Sequence, residues 1–204
     1  ICAASLLATA VLLAACAGPD ATRPDASAAL GLSEPLPPPS MSDPAVQVAP
    51  ADAFLARIAS HCGQAFEGRV RVDTPAQPDN AFAGRKLVMH VRGCGADELR
   101  IPFHVGEDRS RTWVLTRTAG GLRLKHDHRH EDGSSDAVTM YGGDTATAGS
   151  ERRQAFPVDA ESIATFQREG LTASLNNTWA MEIEPGQMFV YELSRPGGRL
   201  FQVE

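Results

Sequence analysis

Lysine is nearly absent: only Lys86 and Lys125 carry ammonium groups, so positive charge rests on arginine. Arginine suits planar, bidentate pairing with carboxylates, although genome base composition produces the same bias. Positive charge is not in excess either, since 19 Lys and Arg against 25 Asp and Glu leave a net charge of -6. The basic patch or high pI of a nucleic-acid binder is therefore not expected. The apolar run at residues 1–15 is too short to span a membrane as a helix. There is no Gly-x-Ser-x-Gly elbow to present a nucleophilic serine. Gly142-Gly143-Asp144 lacks the strand-to-helix context of a phosphate-binding loop and reads as a turn. No pair of carboxylates stands out for acid–base work. These absences leave the class of activity, enzyme or not, undetermined by motif.

What is present begins with targeting. Residues 1–15 are uncharged and apolar, as the core of a signal peptide is. The charged start of such a signal is missing and the first residue is Ile1, so the native N-terminus is expected upstream. Leu13-Ala14-Ala15-Cys16 resembles the lipobox of bacterial lipoproteins. That resemblance implies lipidation of Cys16, which would become the mature N-terminus, and anchoring in the cell envelope. Ala17, rather than aspartate, follows the cysteine, which by the same resemblance implies the outer membrane, facing the periplasm. Residues 16–48 are rich in proline and alanine, with Pro35, Pro37, Pro38 and Pro39 close together. Repeated prolines suit neither helix nor ladder, and no apolar period is there to bury. This segment reads as a tether that, fully extended at about 3 Å per residue, reaches on the order of 90 Å.

Residues 49–204 read as a single domain. Asp52 is placed to cap a short helix carrying Phe54, Leu55 and Ile58 at helical spacing. From Phe66 the apolar period changes to two. Phe66, Val70 and Val72 alternate with charged residues, then Leu87, Met89 and Val91, then Leu99, Ile101, Phe103 and Val105. Pro102 cannot donate to a ladder and marks an edge or an irregularity. Trp113 to Leu115 is extended, Gly120-Gly121 turns, and Val138 to Tyr141 and Arg152 to Phe156 are further strands. Asp159 or Ser162 caps a helical turn or two that carries Ile163 and Phe166 inward. Three last runs, 179–183, 188–193 and 200–203, are separated by Pro-Gly turns. Nine or ten short strands joined by hairpins predict a mainly β fold, an antiparallel up-and-down barrel of lipocalin-like shape, with a two-sheet β-sandwich as the alternative.

Two features point to chemistry. Cys2 lies in the targeting segment and Cys16 is the lipidation candidate, so Cys62 and Cys94 are left to pair as a disulfide in an exported domain. The second feature is Leu122 to Asp132, Leu-Arg-Leu-Lys-His-Asp-His-Arg-His-Glu-Asp. As a strand it puts Leu122, Leu124, His126, His128 and His130 on one face, with Arg123, Lys125, Asp127 and Arg129 turned to water. His126, His128 and His130, spaced two apart, are candidate ligands for zinc or copper. His126 and His128, with Tyr141 across the hairpin, are also candidates to line a ligand pocket, or the two histidines serve structurally, hydrogen-bonded to carboxylates or to Tyr141.

The run Leu124 to Ser134, followed by Met140-Tyr141-Gly142-Gly143-Asp144-Thr145, resembles a group of uncharacterised bacterial exported proteins, from about Cys62 onward. The resemblance implies no activity. Together these readings predict a membrane-tethered periplasmic β-barrel lipoprotein that binds a small ligand or serves as an envelope scaffold. The alternative is a metal-dependent hydrolase using the histidine row.

Overall fold

The computed structural model describes residues 49–204 apart from Asp79. The signal segment, the tether and Cys16 lie outside the described residues. Helix α1 (Pro50–Ala59) opens the domain. Asp52 does not cap it: Ala49 is the N-cap, and Pro50, whose fixed φ suits a first helical position, follows directly. Asp52 instead pairs with Arg117. Phe54, Leu55 and Ile58 are buried together on one face, as their spacing predicts. Just past the helix, Cys62 is bonded to Cys94, with Cα atoms 6.3 Å apart. A cross-link closing a loop of this size stabilises by roughly 3 kcal/mol in the chain-entropy picture.

Twelve strands are formed among the described residues. They are β1 (Ala65–Gly68), β2 (Val70–Thr74), β3 (Leu87–His90), β4 (Gly93–Cys94), β5 (Glu98–Val105), β6 (Asp108–Thr118), β7 (Gly121–His128), β8 (Tyr141–Asp144), β9 (Arg153–Pro157), β10 (Thr178–Glu184), β11 (Met188–Arg195) and β12 (Arg199–Val203). Helix α2 (Ala160–Arg168) lies between β9 and β10. The strands make two antiparallel sheets, one ordered β1-β3-β5-β6-β7-β8 with β4 beside β3 on β5, the other β2-β12-β11-β10-β9. The fold is thus mainly β, and among the described residues no ladder joins the two sheets into a closed barrel. Alternating side chains of both sheets meet in one core, with Leu87, Ile101, Trp113 and Leu124 from the first and Phe156, Trp179, Met181 and Phe201 from the second.

Two seams bring the sheets together. At the first, what reads in sequence as one strand is broken at Arg69, so that β1 pairs β3 in one sheet and β2 pairs β12 in the other. Arg69 exchanges both backbone hydrogen bonds with Glu204, at 2.8 and 2.9 Å. Gly68 is needed there, because a Cβ would come within 2.7 Å of the Glu204 carbonyl oxygen. At the second seam, Asp159 N–H donates to Gly142 O at 2.9 Å. A Cβ on Gly143 would overlap the Pro157 carbonyl oxygen. Gly142 and Gly143 are therefore not a turn but the interior of β8: a Cβ on Gly142 would overlap Leu124 O of β7 in the same sheet, and the bare Gly143 lets two sheet edges touch.

Other departures have local causes. Pro102 sits in a central strand, yet at the point where the partner of β5 changes from β3 to β4, so its missing N–H falls at a break. The extended run expected at Val138 to Tyr141 starts instead at Tyr141, after Met140 adopts φ +53. Asp159 caps α2 by accepting from Ser162 N–H at 2.8 Å, and Ser162 is buried where Ile163 was expected. The Ser162 hydroxyl accepts from Gly142 N–H at 2.7 Å and so fastens the helix to β8. No helix among the described residues is long and apolar enough to cross a membrane.

Candidate functional site

Strand β7 places Leu122, Leu124 and His126 in the core and leaves His128 half-buried on the same side. The strand ends at His128, and His130 lies beyond it, exposed, with its backbone N–H bonded to Ser134 O. The three histidines therefore do not act as one row. Among the described residues no group of three or more His, Cys, Asp or Glu is placed to hold a metal ion.

His126 is fully engaged. Its Nδ1 is 3.1 Å from the Tyr141 carbonyl oxygen, which can only accept, so the proton sits on Nδ1. Nε2 then accepts from the Tyr191 hydroxyl at 2.8 Å. The imidazole stacks on the Tyr141 ring, with centroids 4.6 Å apart and 10° between planes. Burial pushes its pKa down to about 3, so the ring is neutral. Burial, and then the charge of Arg111, lowers His128 as well. The His128 Nε2 is 3.2 Å from the Tyr141 hydroxyl. Burial raises Tyr141 to about 12 and holds Tyr191 well above 10. His126 is thus held neutral between a backbone carbonyl and the Tyr191 phenol, while the Tyr141 phenol faces His128. The hydrogen bonds at both ring nitrogens fix the tautomer and orientation of His126.

The other face of β7 overturns an expectation. Lys125 and Asp127 are buried, not solvated. The first turn of α2 lies over that face, so Lys125 Nζ meets Asp159 at 2.8 Å and Glu161 at 2.9 Å. Arg129 Nε lies 3.1 Å from both carboxylate oxygens of Asp127 and directs its hydrogen at Oδ2, with Arg100 3.6 Å away. Alternation assigns the two sides correctly, but it carries no information about a cover supplied by a helix up to 36 residues downstream.

Tyr191 links this cluster to a cavity of about 600 Å³ between the sheets. Its ring stacks on Trp113, with centroids 4.6 Å apart, and Trp113 stacks on Phe103 at 4.7 Å. All three rings line the cavity, while the Tyr191 hydroxyl turns to His126 behind the wall. The mouth lies among the turn after α1, the β1–β2 break and the β10–β11 hairpin, with His61, Glu67, Arg69, Glu184, Gln187 and Glu204 around it. Its carboxylates are paired: Glu67 with Lys86, Glu184 with Arg152 at 2.8 Å, and Glu204 with Arg69 at 3.0 Å and Arg71 at 3.2 Å. Sequence reasoning named His126, His128 and Tyr141 but missed Tyr191 and the cavity. The available signal was the alternation of Phe189, Tyr191 and Leu193, which turns Tyr191 into the interior. Comparison with known proteins finds no matching family model, no matching curated protein and no matching solved structure.

Proposed function

We propose that this chain is a lipid-anchored module of the bacterial envelope, held at Cys16 and facing the periplasm, that binds a small apolar ligand between its sheets. The domain is then a partly opened barrel, drawn together at the Arg69–Glu204 and Gly142–Asp159 seams and open at the cavity mouth. The observation that carries the reading is the cavity itself. Its volume of about 600 Å³ lies within the roughly 300–1,000 Å³ typical of small-molecule sites. Its buried wall is apolar and its polar groups stand at the mouth, the division expected of a ligand pocket. Metal-dependent hydrolysis is the weaker reading, because both ring nitrogens of His126 already have partners.

The test is titration of N-phenyl-1-naphthylamine, an apolar fluorophore, into the unlipidated Cys16→Ser chain. Saturable enhancement at one site per chain is the expected result. Met188→Trp, which adds bulk to the half-buried cavity wall, should weaken binding at least tenfold while the protein melts like its parent. Non-saturable enhancement, or equal binding by a well-folded variant, contradicts the proposal.

A further inference from the structure

The cavity restricts the orientation of whatever occupies it. Leu87, Met89, Phe103, Trp113, Ile183 and Val203 form its buried wall, each no more than 8% exposed. No charged residue is among them. Every charged lining residue stands at the mouth, where it is at least partly exposed. Among the described residues the only hydroxyl on the lining, that of Tyr191, is bonded to His126 Nε2, and the other His126 nitrogen is bonded to Tyr141 O. An ionised group carried to the inner end would lose its hydration and meet no countercharge. The same group left at the mouth stays in water among paired charges.

The wall also favours a flexible guest over a flat one. Trp113 already stacks with both Phe103 and Tyr191, so its ring surface is engaged by neighbours in the wall. Met89 and Met188 add unbranched thioether chains that adapt to irregular shapes. We infer that the ligand is a single-chain amphiphile, taken tail first, with its charged or polar head left at the mouth beside Arg69 and Gln187. This deepens the reading of the cavity as the binding site and rests on it.

The experiment titrates octanoate, decanoate, dodecanoate and dodecanedioate, each below its aggregation limit at neutral pH, into the unlipidated Cys16→Ser chain by calorimetry. N-phenyl-1-naphthylamine serves as the reference probe. Each methylene added from octanoate to dodecanoate should tighten binding about fourfold, from about 0.8 kcal/mol per buried methylene. Dodecanedioate, which must bury one carboxylate to enter, should bind at least a hundredfold more weakly than dodecanoate. Equal affinity for these two, or affinity independent of chain length, overturns the tail-first inference. Binding of the naphthylamine without binding of any carboxylate overturns the amphiphile and leaves the cavity reading standing. Failure of every probe overturns both.

Discussion

His126 shows what a side chain that looks like a ligand does when its neighbours complete it. With Nδ1 donating to Tyr141 O and Nε2 accepting from Tyr191, it has no lone pair left for a metal and no reason to charge. Its pKa of about 3 in the folded protein lies below the value of about 6.5 in an unfolded chain. Between those two values the unfolded chain binds a proton that the folded chain refuses. Stability from this residue is therefore complete above about pH 6.5 and is lost as pH falls toward 3, by up to about 1.4 kcal/mol per pH unit. Denaturant unfolding across about pH 4.5 to 6.5 should show His126→Phe with a flatter profile than the parent. His128 and His104, both also shifted down first by burial, keep a slope of the same sign in the variant. Parallel profiles for the two proteins would mean that His126 is charged in the folded state.

At the scale of elements, the seam between β8 and β9 depends on the bare backbone of Gly143. Gly143→Ala puts a methyl group onto the Pro157 carbonyl oxygen, which only a shift of β8 or β9 relieves, and overpacking of this kind costs about 1–3 kcal/mol. Gly120→Ala, where an added Cβ meets nothing within 4 Å, is the control and should melt close to the parent. Equal melting temperatures for the two variants would show that the seam yields freely. The element pattern was largely legible. Period-two alternation placed β3, β5, β7, β10, β11 and β12, and helical spacing placed Phe54, Leu55 and Ile58. What alternation could not supply was pairing across distance. The break at Arg69, the docking of α2 over Lys125 and the close approach at Gly143 each depend on a partner remote in sequence. The role of Tyr191 is hidden for the same reason: an alternating strand shows that a side chain turns inward, not whose nitrogen it meets.

At the scale of the whole molecule, the envelope address and the domain are separable claims. Cys16→Ser, expressed with a complete signal, should lose acyl mass by mass spectrometry and move from the membrane to the soluble fraction. An unlipidated parent that still sediments with membranes would refute the anchor. The domain itself should not notice the change, since residues 49–204 build their own core. That core has an order of completion written into its topology. Among the described residues β2 pairs only with β12, with Val70 opposite Val203 and Thr74 opposite Leu200. Strands this far apart in sequence pay the loop-closure entropy before they gain a contact, which slows folding. A chain made from its N-terminus therefore presents β2 early and must hold it unpaired until β12 arrives. The first sheet can assemble on local hairpins during that wait, whereas the second, and with it the far wall of the cavity, is complete only once β12 joins β2 to β11.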